Sequence, residues 1–276
     1  MLKRQTRWFI VLSFFLILLP VASLLMMPDV SKLKKENPKK TALMEYREKK
    51  LRAKGRKFRM DQRWVPFSKI SPYLIKAVLI AEDDKFWSHE GFDYEAIQKA
   101  IEKDLKAKQF KFGGSTITQQ LARNLFLSPE KSLLRKISEA VITWRMEKVL
   151  SKKRILELYF NVAEWGEGIF GVEAASRHYF GKPSSELSAE EAARLAAVLP
   201  NPRRYDPAGD QRYVMNRSNV IYSIMIRRGI VIPEYQEVTE SIESSSPQKT
   251  IPEEAAPEEH VSEAPVSKEE DEAKGR

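Results

Sequence analysis

The sequence predicts a mainly α-helical domain standing behind one N-terminal apolar segment long enough to cross a bilayer. Three observations predict it. Trp8 to Met27 forms an uncharged run, and about twenty helical residues at roughly 1.5 Å each span the ~30 Å hydrocarbon core. From Ser71 onward, helix starts follow one another with their own caps, and strand-like alternation is nearly absent. The chain has 276 residues and is 42% apolar, which leaves room for one domain of ordinary size plus appendages.

Taken in order, residues 1–7 form a short tail with Lys3, Arg4 and Arg7, and residues 8–27 the candidate transmembrane anchor. Cleavage as a secretory signal near Val21-Ala22-Ser23 is the alternative. The anchor is preferred because the apolar run continues to Met27, beyond the roughly 7–15 residues of a signal core. Residues 28–63 are a basic juxtamembrane segment: positions 32–63 hold 14 Lys/Arg against 4 Asp/Glu. That stretch reads either as a solvated helical spacer with i,i+4 support from Glu45 and Lys49, or as a surface attracted to anionic lipid headgroups. The cations after the span outnumber those before it, so charge counting by itself places the following domain on the cytoplasmic side.

The domain itself is expected over 64–240. Ser71-Pro72 predicts the start of a helix over Tyr73–Ala81, and Asp93 caps one over Tyr94–Lys106. Ser128-Pro129 repeats the Ser-Pro start before Glu130–Leu150. Ser188 to Glu191 reads as a capping box for a helix that Pro200 stops. Met215–Arg228 and Pro233–Ile242 complete the set. Residues 241–276, with 10 Asp/Glu against 4 Lys/Arg and no apolar periodicity, are expected to be a disordered acidic tail.

Composition removes whole classes of chemistry. With no Cys there are no disulfides, thiolate zinc sites or cysteine nucleophiles, and with three His any metal site would rest on carboxylates and suit a hard cation. Three stretches remain that can carry chemistry. Glu82-Asp83-Asp84 follows the apolar run Leu74–Ile80, where acids oppose the helix macrodipole, and Phe86, Trp87 and His89 surround them. A solvated turn is the bland alternative. Gly113-Gly114-Ser115-Thr116 leads through Gln119 and Gln120 to Arg123 and Asn124, a loop feeding a helix N-terminus with free N–H groups for an anion. It lacks the Gly-Lys-Ser/Thr ending of a nucleotide-binding loop. Lys131, Arg135 and Glu139 share a helical face beside Lys136, which reads as a surface salt-bridge ladder or as a diphosphate site.

Read together, these motifs resemble the peptidoglycan glycosyltransferases of glycosyltransferase family 51. Glu82-Asp83-x-x-Phe86-x-x-His89-x-Gly91-x-Asp93 is similar to the first family motif, and Gly113 through Gln120 with Leu121 and Asn124 to the second. Arg135-Lys136-x-x-Glu139 resembles the third, Lys152-x-x-Ile155-Leu156-Glu157-Leu158-Tyr159-x-Asn161 the fourth, and Gly171 through Lys182 the fifth. The resemblance covers about Trp64 to Tyr205 and implies a lysozyme-like, two-lobed fold with a groove. It is closest to the monofunctional branch, without a transpeptidase domain.

The resemblance implies lipid II and the growing glycan strand as substrates, with inversion at the sugar and release of undecaprenyl diphosphate. Glu82 would be the general base and Glu139 would assist the departing diphosphate. Asp83, Phe86, His89, Gly113, Gly114, Ser115, Thr116, Gln119, Gln120, Arg123, Asn124, Lys131, Arg135 and Lys136 would bind substrate. Arg123 and Lys131 stand where the family commonly has Lys and Arg respectively. No cofactor is required, although a divalent cation, Mg or Mn, is compatible with the family at Glu139. The resemblance sets the domain outside the cytoplasmic (inner) membrane, on its periplasmic face, against the charge count. Membrane lipid and proteins of cell-wall synthesis or division are the expected partners, and nucleic acid is not. Two other readings stay open: a lysozyme-like glycan hydrolase or lytic transglycosylase, and a non-catalytic anchored scaffold.

Overall fold

A computed structural model describes residues 27–107, 114–130 and 132–232. The candidate span, apart from Met27, lies outside them, as do Gly113, Lys131, the candidate helix over 233–242 and the acidic tail. Among the described residues no helix is long and apolar enough to cross a membrane.

The fold is mainly helical. Its α-helices are α1 (Ala42–Arg52), α2 (Pro72–Glu82), α3 (Tyr94–Ala107), α4 (Ile117–Phe126), α5 (Leu133–Val149), α6 (Lys152–Val162), α7 (Val172–Phe180), α8 (Ala189–Val198) and α9 (Arg212–Arg227). Short 3-10 turns lie at Val30–Lys34, Phe67–Lys69 and Ser184–Glu186. Three very short strands, β1 (Asp61–Gln62), β2 (Glu164–Gly166) and β3 (Ile169–Phe170), form a sheet ordered β1-β3-β2. With two or three residues each, they are too short to leave a period-2 signature in the sequence.

The expected caps are mostly in place. Asp93 Oδ1 accepts from Ala96 N at 2.9 Å, and Ser188 closes a full capping box with Glu191. Two starts differ. Ser71 makes no side-chain cap, because its hydroxyl donates to Leu187 O at 3.0 Å and Pro72 already presets the first turn. The Ser128-Pro129 signal does not open α5: Ser128 turns back on Glu130 N, and Ser132 caps the helix through Arg135 N. The helix over Glu130–Leu150 therefore begins at Leu133.

One continuous core joins two helix groups. On one side α2 packs against α8 and α9. The buried face of α8 is largely alanine (Ala189, Ala192, Ala193, Ala196, Ala197), which lets its neighbours approach closely. On the other side α4 packs against α5, α6 and α1. Phe86, Leu74, Ile117, Leu121, Met146, Tyr159 and Trp165 fill the space where the groups meet. A small satellite core of Leu43, Met44 and Phe170 seats α1 on β3, and β1 pairs in parallel with β3. Residues of the basic segment are thus built into the fold.

Candidate active site

Three consecutive acids close α2, and each has a different partner. Glu82 Oε2 accepts from Gln120 Nε2 at 2.9 Å. Asp83 Oδ2 accepts from Ile117 N at 2.9 Å, the first N–H of α4, while its Oδ1 meets His89 Nε2 at 2.9 Å. Asp84 turns outward to a two-pronged pair with Arg228 at 2.5 and 2.9 Å, and that guanidinium holds its carboxyl below the usual range. The acid that is unfavourable at the C-terminus of α2 is therefore favourable at the N-terminus of α4.

His89 completes this clamp. Its Nδ1 accepts from Gly91 N at 3.0 Å, which leaves the ring proton on Nε2 facing Asp83. Asp83 and His89 thus hold the loop and α4 together, and Asp83 also borders the cavity beside Glu82. Phe86 is fully buried, edge-on to His89 and Trp87, with Lys152 Nζ 4.4 Å from its ring centre. Phe86, expected to bind substrate, is part of the core in this structure. Asp83→Asn is expected to cost about 1–2 kcal/mol of stability by removing charge from a helix N-terminus, seen as a lowered Tm.

The second motif divides in the same way. Thr116 and Gln119 form the capping box of α4, and Thr116 Oγ1 also donates to Gly91 O at 2.7 Å. Both are buried, so their work is to fix the helix start. Gly114 packs onto α3: a Cβ there would lie 3.2 Å from Ile97 Cα and 3.3 Å from Ala96 O, so a side chain would push the loop and α3 apart by a few tenths of an ångström. Ser115 accepts from Lys136 Nζ at 3.4 Å.

Gln120 and Arg123 share one face of α4 by their i,i+3 spacing. Gln120 reaches Glu82, and Arg123 Nη1 lies 3.8 Å from Glu139 Oε2. Tyr159 sets the orientation of Gln120, since its hydroxyl donates to Gln120 Oε1 at 3.2 Å and so turns the amide N–H toward Glu82. Burial raises the Tyr159 phenol well above its ordinary pKa, which keeps it a donor. Burial also raises the Glu82 carboxyl, and Gln120, Arg217 and Arg123 oppose that rise. Arg217 of α9 stands with Nη2 3.7 Å from Glu82 Oε1 and 3.3 Å from Ala81 O.

Glu139 has no exposed side-chain surface. Arg135 Nη1 donates to its Oε2 at 2.6 Å and Lys136 Nζ donates to its Oε1. With both oxygens held by cations, and Arg123 a third, this donor set does not fit a divalent cation. Glu139 therefore organises a cationic patch from inside it.

Two cavities flank the Glu82–Gln120 contact. One of about 250 Å³ is lined by Glu82, Lys85, Asp93, Gly114 and Ser115 among others. The other, of about 190 Å³, is lined by Gln120, Arg123, Asn124, Tyr159, Arg47 and Glu164 among others. Of the expected site residues, Glu82, Gly114, Ser115, Gln120, Arg123, Asn124, Arg135, Lys136 and Glu139 come together along α4. Gly113 and Lys131 lie outside the described residues. Sequence reasoning missed Tyr159, Arg217, Arg47 and Glu164. Tyr159 sits inside the fourth motif, where it could have been found; Arg217 and Arg47 carry no local signal.

Comparison with known proteins shows the family. The family model described as Transglycosylase matches residues 48–226. The chain is 50% identical over 194 residues to the biosynthetic peptidoglycan transglycosylase of Nitrosospira multiformis, covering 70% of this chain and 84% of that protein. It is 54% identical over 170 residues to that of Dechloromonas aromatica (62% and 74%) and 44% identical over 215 residues to that of Janthinobacterium sp. (76% and 93%). With the match running unbroken from the end of α1 into α9, across every element that positions the two carboxylates, the chain belongs to the Transglycosylase family.

Proposed function

We propose that this protein polymerises peptidoglycan glycan strands from lipid II by inverting glycosyl transfer, releasing undecaprenyl diphosphate. The observation that carries the reading is the face of α4 that touches both carboxylates, Gln120 on Glu82 and Arg123 beside Glu139. Glu82 is the general base. Its carboxylate takes the proton of the acceptor sugar's 4-hydroxyl as the hydroxyl oxygen forms a bond to the anomeric carbon of the growing strand. The bond from that carbon to the diphosphate breaks with its electron pair going to the leaving oxygen.

Arg123, Arg135 and Lys136 supply positive charge where that diphosphate gains negative charge, the kind of preorganised electrostatics that lowers such barriers. Glu139, being fully covered, acts as a positioning residue for these cations. Ser115 and Asn124 line the cavities on either side of α4. No step is routed through a metal.

A raised carboxyl pKa suits a base that must take a proton near neutrality. Glu82 has to be ionised to act, so activity falls as pH drops through its folded-state pKa. Arg217→Met removes a charge that stabilises the carboxylate, and the acidic limb of the kcat/KM profile is expected to move to higher pH. A pH–rate series on the two proteins checks the direction.

The setting we propose is the cell envelope, with residues 8–27 as a single anchor in the cytoplasmic membrane and the domain on its outer face. Leu133 and Leu134 are 79% and 76% exposed on α5, with Ile137 and Trp144 also exposed, on the helix that carries Arg135 and Lys136. An exposed apolar stripe beside cations suits a membrane interface.

Incubation of the detergent-solubilised protein with labelled lipid II tests the function. Polymer that lysozyme digests is the expected product. Shortening of preformed strands without polymer would move the reading to a hydrolase or lytic transglycosylase, and neither activity would favour a scaffold. The cation set of Arg123, Arg135 and Lys136 supports the transferase, because a hydrolase has no diphosphate to neutralise.

A further inference from the structure

The cavity on the Gln120 side of the site has a wall that comes from outside the five sequence motifs. Leu43 and Arg47 of α1 line it together with Gln120, Arg123 and Asn124 of α4, and α1 packs directly on α4. Residues 43 and 47 both precede the first residue matched to the family, 48.

Arg47 is held in a fixed pose. Its Nε and Nη2 donate to one oxygen of Glu164, Oε2, at 2.9 and 2.7 Å. Glu164 is 5% exposed, and its other oxygen, Oε1, is buried without a hydrogen bond, 3.9 Å from Arg203 Nε. The Arg47 side chain keeps 22% of its surface exposed, and among the described residues no hydrogen bond takes its Nη1. A guanidinium fixed along one edge by a buried carboxylate, on a side chain that lines a cavity together with Arg123, is organised to receive an anionic oxygen.

We propose that Arg47 is a substrate-binding residue: held by Glu164, it closes the α1 side of this cavity on an anionic oxygen group of the lipid-linked substrate. The inference rests on the polymerase reading above. Two parts of such a substrate carry that chemistry, the diphosphate and the carboxylates of a peptide attached to the sugar. Leu43, Leu127 and Leu199 give the cavity apolar walls, so charge is concentrated on Arg47, Arg123 and Glu164. Glu164 is a positioning residue, acting through Arg47.

The test is steady-state polymerisation of lipid II by the full-length protein in detergent. Arg47→Ala is expected to raise KM about tenfold, the size of a lost charge-assisted hydrogen bond, with kcat changed by less than about threefold. Because that variant strands a buried carboxylate, Arg47→Ala/Glu164→Gln is measured beside it. It should show the same KM at a wild-type Tm. Arg47→Lys should recover part of the affinity, and Arg52→Ala, an exposed position on the same helix, should match wild type. Repeating the series on a lipid-linked disaccharide without its peptide identifies the group: a persisting penalty assigns the diphosphate, a vanished one the peptide carboxylates.

Wild-type KM in the double variant would overturn the proposal and reduce the Arg47–Glu164 pair to a structural clasp. Should the wild-type protein make no polymer at all, the parent reading fails first and this one falls with it. If wild type polymerises and the variants do not differ from it, only the Arg47 assignment fails.

Discussion

Glu82→Gln is expected to abolish glycan polymerisation, lowering the rate by about 10²–10⁴-fold, while leaving the protein at least as stable as wild type. The two halves of this expectation have one cause. Glu82 is 12% exposed, and burial raises its carboxyl above the ordinary value. A group whose folded pKa is raised loses stability as pH rises from its unfolded value through its folded one, because the folded state then carries a buried charge. Glutamine removes that charge at neutral pH and keeps the shape, so the substitution relieves a cost. The same change removes the only function that needs the charge, acceptance of the acceptor's proton. Gln120 can re-pair with the new amide, so the hydrogen-bonded chain from Tyr159 survives. Loss of polymer at an unchanged or raised Tm is the expected pair of results. A fall in both would make Glu82 a structural residue.

Glu139→Ala is expected to fail differently, losing activity and stability together. Arg135 is only 16% exposed and lies 2.6 Å from the carboxylate, with Lys136 on the other oxygen and Arg123 close by. Removing the acid leaves clustered cations with no counter-charge, at a cost of about 3 kcal/mol. For a domain of this size that is about 6–12 °C in Tm. Activity is expected to drop even where the protein is folded, because guanidinium and ammonium groups that repel one another no longer converge on the leaving group. Glu139→Gln should restore much of the packing but not the activity. Thermal unfolding and polymerisation measured on both variants separate the two contributions.

The contrast between these acids shows what the sequence could and could not reveal. Helices declared by local chemistry were legible: Asp93 and Ser188 cap where their spacing says they should. Ser128-Pro129 misled because Ser132, four residues on, offered α5 an equally good cap. The motif residues Glu82, Gln120, Arg123 and Glu139 do meet. The motif does not say which of its members hold the fold: Asp83, His89, Thr116 and Gln119 all fix the start of α4, and of these only Asp83 and Thr116 also border a cavity. Their polarity is the same as that of groove residues; only the fold decides between them. Arg217 and Arg47 were invisible for a simpler reason. Each lies more than thirty residues away in sequence from both Glu82 and Glu139.

The docking of the N-terminal segment has a consequence for how the protein is made. Arg47 pairs with Glu164 across 117 residues, Gln62 with Asn161 O across 99, and Val65 with the Asn161 side chain across 96. None of these contacts is local, and the closure entropy of such long loops must be met before any of them contributes. A ribosome delivers α1 early, yet its seat on β3 does not exist until residue 170 has emerged. The packing of α1 is therefore completed only after more than half of the chain has been made, although its contact with α4 can form earlier.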